Sequence, residues 1–228
     1  MNSRTALFIL FVLLLPFAAF AQGTELVSAE KYFSALSAKY GTIKDYEAVV
    51  SIAEGKVSYH GALSYKSPMF LRIDFDDPPK MVLCFDGKKL IWFSPQNEVV
   101  LEQDYKKKSN AQIEGMATSQ GLILLQRNYS IAFLNATGAE PVPLEEGSRE
   151  MVSKLKLVSR GATSYSQLII SVKDNLIRRV EGTQTNGEKV VMDFTNIRTN
   201  QGIPDSRFVY DSPPYANVIQ DWLFDPEE

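Results

Sequence analysis

Between Tyr46 and Tyr105 apolar and polar side chains alternate, and short runs of turn formers interrupt the alternation again and again. The segments are Tyr46–Ala53, Lys56–Lys66, Met69–Phe75, Lys80–Phe85, Lys89–Phe93 and Glu98–Tyr105. Between them stand Glu54-Gly55, Ser67-Pro68, Asp76-Asp77-Pro78-Pro79, Asp86-Gly87 and Ser94-Pro95-Gln96-Asn97. A period of two places alternate residues on opposite faces of a strand. Spacers this short close antiparallel hairpins and are too short for parallel crossovers. Asp86-Gly87 between two apolar runs is the strongest hairpin signal in the chain.

Strands resume at Lys154–Ser159, Ser166–Val172, Leu176–Thr183 and Glu188–Asn196, with turns at Asp174-Asn175 and Thr185-Asn186-Gly187. Tyr129–Leu134 reads as a further strand, and Asn135–Gly147 as an irregular connection. Helical spacing appears at residues 25–40, where Leu26, Ala29, Phe33, Leu36 and Tyr40 share a face. Thr24 is the expected cap of that helix, and Gly41 its left-handed end. Residues 109–127 read as a second helix, which Gly115 and Gly121 interrupt. So many successive antiparallel strands curl into a sandwich or barrel, with the helices on it or in its mouth.

Residues 1–21 read as a secretory signal peptide. Arg4 is the basic start, Ala6 to Phe20 an uncharged apolar run, and Ala19-Phe20-Ala21 a small-x-small site, with cleavage expected between Ala21 and Gln22. The remainder, 22–228, reads as one domain in an extracytoplasmic compartment. No Cys follows the cleavage point, so no lipidation is expected there.

A single Cys and a single His exclude an intramolecular disulfide and most metal sites, and no cofactor is implied. The formal net charge of −3 gives no reason to expect a nucleic-acid partner. G-x-S-x-G, H-E-x-x-H, P-loop and G-x-G-x-x-G motifs are absent. An enzyme would have to be built on His60, Asp74 or Asp76. Lys106-Lys107-Lys108 reads as a solvated charge run that is also suited to an acidic partner protein.

Two strands are apolar on both faces. Met81, Leu83 and Phe85 oppose Val82 and Cys84, while Leu90 and Trp92 oppose Ile91 and Phe93. Two readings account for this surplus: a filled interior with helices covering the outer face, or a concave pocket for acyl chains or a similar ligand.

Four passages resemble the outer-membrane lipoprotein carrier (LolA-like) family of the bacterial periplasm. They are Gly61 to Ile73 with its Ser67-Pro68 turn, Phe85-Asp86-Gly87-Lys88-Lys89-Leu90-Ile91-Trp92-Phe93-Ser94-Pro95, the apolar helix Gly121–Leu125 before Arg127-Asn128, and Phe208 to Pro214 as a closing strand and turn. The family often has Arg immediately before the turn proline; Ser67 stands there, after Lys66. The resemblance implies a mainly β, α+β fold: an incomplete antiparallel β-barrel of about eleven strands with a helical lid over an apolar concavity. It implies a non-enzymatic carrier, expected to be monomeric. Its partners would be acylated lipoproteins, an inner-membrane lipoprotein-releasing transporter and an outer-membrane acceptor. Leu63, Tyr65, Leu71, Ile73, Phe75, Leu83, Phe85, Leu90 and Trp92 are the expected cavity lining, and Met116, Ile123 and Leu124 the expected lid. An envelope sensor or scaffold of the same fold is the alternative.

Overall fold

The computed structural model describes residues 27–104 and 118–221. The expected signal segment, the expected Thr24 cap, the Lys106–Lys108 run, the 109–117 part of the expected second helix and Met116 lie outside them. Ser28 caps helix α1 (Ala29–Gly41), its hydroxyl accepting from Lys31 N at 3.2 Å. The helix thus starts later than the apolar spacing from Leu26 suggests. It ends without a left-handed glycine: Gly41 is helical and Thr42 caps it in the right-handed region, its hydroxyl donating to Lys39 O.

Six strands follow in hairpin order: β1 (Asp45–Glu54), β2 (Val57–Lys66), β3 (Phe70–Asp77), β4 (Val82–Phe85), β5 (Lys89–Ser94) and β6 (Val99–Asp104). The Asp86 carboxylate accepts from Lys88 N and Lys89 N, and Gly87 takes φ 85°, which closes the β4–β5 turn. Helix α2 (Ser119–Asn128) starts at Thr118, whose hydroxyl accepts from Gly121 N. It runs directly into β7 (Tyr129–Phe133). Then come a two-residue β8 (Val142–Pro143), β9 (Met151–Ser159), β10 (Tyr165–Lys173), β11 (Leu176–Gln184), β12 (Lys189–Thr199) and a late β13 (Asn217–Gln220).

Among the described residues one sheet of thirteen strands results, ordered β13-β6-β5-β4-β3-β2-β1-β12-β11-β10-β9-β7, with β8 paired to β9. It is open, with β13 and β7 as its two edges. The count exceeds the expected eleven or so because of β8 and β13. All pairings are antiparallel except β13 with β6. Pairing of β1 with β12 joins the two halves of the chain, Val50 standing opposite Phe194.

Both helices lie on the inner face. Phe33, Leu36 and Tyr40 of α1 and Leu122 and Leu125 of α2 are buried in one cluster with Leu63, Leu71, Leu155, Leu168 and Ile170. The Tyr40 hydroxyl accepts from Ile177 N at 2.9 Å, which ties the end of α1 to β11. The helices therefore do not cover the outer face; the C-terminal tail does. The Asp45 carboxylate accepts from Gln201 N and Gly202 N and turns the chain after β12. The tail then crosses the outside of β2–β6. The expected closing strand at Phe208 is a 3-10 turn, Asp205–Phe208, followed by extended chain. Phe208 is 1% exposed and accepts the Cys84 thiol proton on its carbonyl at 3.2 Å. Beneath the tail Val82, Cys84, Phe93 and Val100 form a second, outer apolar cluster, with Ile91 and Tyr210 packed against it.

Candidate apolar binding face

The register settles which strand residues share a face. Leu63 stands opposite Ile73 and Tyr65 opposite Leu71. Leu71 pairs with Phe85 and Ile73 with Leu83. Leu83 in turn pairs with Trp92, and Phe85 with Leu90. Directly opposed residues point the same way. The nine residues expected to line a cavity, Phe75 among them, therefore belong to one inner surface, and all pack in or against the inner cluster.

That surface is unevenly covered. Where the helices sit, Leu155, Leu157, Leu168 and Ile170 are fully buried. Toward the β13 edge Leu83, Leu90, Trp92 and Leu101 are only partly buried. Leu101 is opposite Trp92 and was not anticipated, because Glu98–Tyr105 shows weak alternation. Ile219 of β13 pairs with Leu101 and extends the same face to the rim.

On helix α2 the expected lid residues Ile123 and Leu124 lie off the side that packs into the core. Leu122 and Leu125 turn to the core at 0% and 2% exposure, whereas Ile123 is 51% exposed and Leu124 half-buried. An i, i+3, i+7 reading anchored on Tyr129, itself fully buried, would have found the inward set. Met116 lies outside the described residues.

The surplus of apolar strand surface has a divided explanation. Its outer half, Val82, Cys84, Ile91 and Phe93, is spent under the tail. Only the inner half is available to a ligand. An open cavity of about 220 Å³ lies off this face, lined by Ser51, Ile52, Ala53, Ser58, Tyr59, His60, Val191 and Asp193 at the free end of β1 and β2.

The acid–base residues gather on the opposite side of the sheet. His60 Nδ1 is 2.7 Å from Asp76 Oδ1 in an exposed pair. Asp74 is occupied in holding the tail, bonded by Arg72 and Arg207. Lys66 also serves the tail, donating to Ile203 O at 2.7 Å and to the Asp205 carboxylate. It points to the outer face of the sheet, away from the helices. Among the described residues no three His, Cys, Asp or Glu side chains are grouped to hold a metal ion. The inner face is apolar and only partly covered toward the β13 edge.

The family model described as "Outer membrane lipoprotein carrier protein LolA" matches residues 46–211. The chain belongs to the LolA family. The outer-membrane lipoprotein carrier protein of Pseudomonas fluorescens is 22% identical over 161 residues, covering 71% of this chain and 72% of that protein. That of Idiomarina loihiensis is 25% identical over 220 residues, covering 91% and 94%. In fold the chain is similar to an uncharacterized conserved protein from Thermus thermophilus, with TM-score 0.51 and 12% identity over 82% of this chain and 96% of that one. It is also similar to the Pseudomonas aeruginosa MucA/MucB complex structure, with TM-score 0.51 and 10% identity over 87% and 67%. LolA-family carriers are periplasmic, non-enzymatic binding proteins. The LolA match begins within β1 and ends on the tail beyond Tyr210, so the strap over the outer face lies largely inside it.

Proposed function

We propose that this LolA-family chain is a periplasmic carrier that shields lipoprotein acyl chains on its inner face and moves them from inner to outer membrane. Residues 1–21 are its secretory signal. An inner-membrane releasing transporter supplies the lipoprotein, and an outer-membrane acceptor receives it. The observation that carries this reading is the partial exposure of Leu83, Leu90, Trp92 and Leu101 on an otherwise buried apolar surface. Holding an acyl chain in water costs about 0.8 kcal/mol per CH₂, so a diffusing carrier must cover it. A face left partly open takes up a chain without unfolding the core and releases it again.

The test is mass spectrometry of organic extracts from protein purified out of the periplasm. Trp92→Glu should remove co-purifying acylated cargo while leaving the circular dichroism unchanged; His60→Ala should retain cargo. Leu71 is a poorer probe, since it is buried and a charge there attacks the fold. Equal cargo in wild type and Trp92→Glu counts against this face.

A second reading is an envelope sensor or scaffold that binds protein without transport. The fold likeness to the MucA/MucB complex structure favours it. It expects no retained lipid in the wild-type extract.

A further inference from the structure

Rows of inner-face residues cross β5, β6 and β13 at the open rim. Trp92, Leu101 and Ile219 form the middle row. Ser94, Val99 and Asn217 lie on one side of it. Leu90 and Gln103 lie on the other, and Asp221 completes that row from the end of β13. Gln103 is buried, and its amide donates to the Asp221 carboxylate at 3.2 Å. Asp221 takes φ 50° and donates its own N–H to Glu102 O at 2.9 Å. Its side chain is thereby held on the inner side of the sheet.

Asp221 is the charged member of these rows. Glu102 and Asp104 belong to the outer side of β6, opposite Ile91 and Lys89. Lys89 pairs with Glu102 at 2.7 Å, so this cation is spent on the outer side. A buried amide aimed at a carboxylate holds it by a charge-assisted hydrogen bond. The rim therefore carries a fixed, half-buried negative charge beside the partly exposed Leu90, Trp92 and Leu101.

The helices cover the β9–β10 side of the inner face. The polar head of an acyl chain on this face must stay in water, so it leaves across β13. Two residues separate Ile219 from Asp221, about 7 Å along the strand. That is within the roughly 8 Å over which charges act at physiological salt. A carboxylate or phosphate head meets like charge there, and an amide or ester head does not.

We propose that Asp221 selects acyl chains by their head group. It disfavours anionic lipids such as free fatty acids and leaves the face to chains ending in an uncharged amide or ester. The proposal deepens the carrier reading and rests on it, since acyl groups carried on a polypeptide are joined through such links.

N-lauroylglycine and N-lauroylglycinamide share a chain and an amide and differ in one terminal charge. Calorimetric titration into delipidated full-length protein at low salt should show the glycinamide bound about tenfold more tightly, a gap that added salt narrows. Asp221→Asn keeps an oxygen that accepts from Gln103, and Asn tolerates the left-handed backbone. It should close the gap by strengthening lauroylglycine alone. Asp104→Asn removes an equal charge from the outer side of β6 and should leave the gap open. Equal affinities in the wild type overturn the proposal. So does a gap that Asp221→Asn leaves unchanged, the result expected if the Gln103–Asp221 bond only fastens β13. Closure by Asp104→Asn as well would trace the gap to overall charge and overturn the assignment to Asp221. Binding of neither compound overturns the carrier reading, and the proposal with it.

Discussion

Arg207, on the tail, donates to the same Asp74 carboxylate that Arg72 grips from within β3. Arg72 also donates to the carbonyls of Arg207 and Val209, at 3.2 and 3.1 Å. Arg207 Nε reaches Ser64 Oγ at 3.2 Å. Ser64 of β2 and its outer-face neighbours Arg72 and Asp74 of β3 are thus committed to holding one strap. The strap in turn covers the outer apolar cluster, so the partly exposed apolar surface that remains is on the inner face.

The strap should loosen in acid. Burial alone would raise the Asp74 pKa, but hydrogen bonds and charge from Arg72, joined by Arg207, outweigh it and hold the carboxyl below its ordinary range. A lowered folded-state pKa means that ionised Asp74 stabilises the fold above the unfolded value of about 3.9. That contribution is lost as pH falls through the folded value. Stability measured by urea unfolding should decline from about pH 5 to about pH 3, and Asp74→Asn should flatten this part of the profile. An unchanged profile in the variant would show that Asp74 is not the group responsible.

Phe208→Ala should cost about 3–4 kcal/mol, the range for emptying a fully buried aromatic site. It should also open the strap over Cys84. Burial pushes the Cys84 thiol up to about 11, so in the wild type it should react slowly with a disulfide reagent at neutral pH. The variant should react many times faster. Similar rates in both would mean that the strap does not guard the thiol.

On helix α2, neighbouring residues should behave in opposite ways. Leu122→Ala should destabilise by about 2–4 kcal/mol because it empties a core site. Ile123→Ala should change stability by no more than about 0.5 kcal/mol, as for an exposed position. Chemical denaturation of the two variants checks this, and similar losses in both would contradict the helix orientation.

Gly61 lies where β2 shifts register against β3. A Cβ there would collide with the Asp74 carbonyl oxygen and lie 2.8 Å from Phe75 Cα. Both obstacles are backbone and cannot rotate away. Gly61→Ala should therefore cost about 2–3 kcal/mol through forced separation of the strands, read as a lower urea midpoint. A midpoint equal to wild type would show that β2 and β3 part without strain.

The strands of both halves, their turns and the shared face of Leu63, Tyr65, Leu71, Ile73 and Phe75 were legible in the sequence, because period-two alternation and turn chemistry are local. Asp174 and Asn175 take positive φ as their turn signal implies, and Gly187 does the same. The face of α2 was misread because Leu122, Ile123, Leu124 and Leu125 are all apolar, so four consecutive positions carry no phase. The two-sided apolar strands were ambiguous for a similar reason. Composition reports that Val82, Cys84, Ile91 and Phe93 must be covered, but not by what. Only the tertiary structure brings Phe208 to Cys84 across 124 positions of sequence and places the helices inside. Such long-range choices depend on which surfaces bury the most apolar area together, and that sum exists only once the sheet has curled.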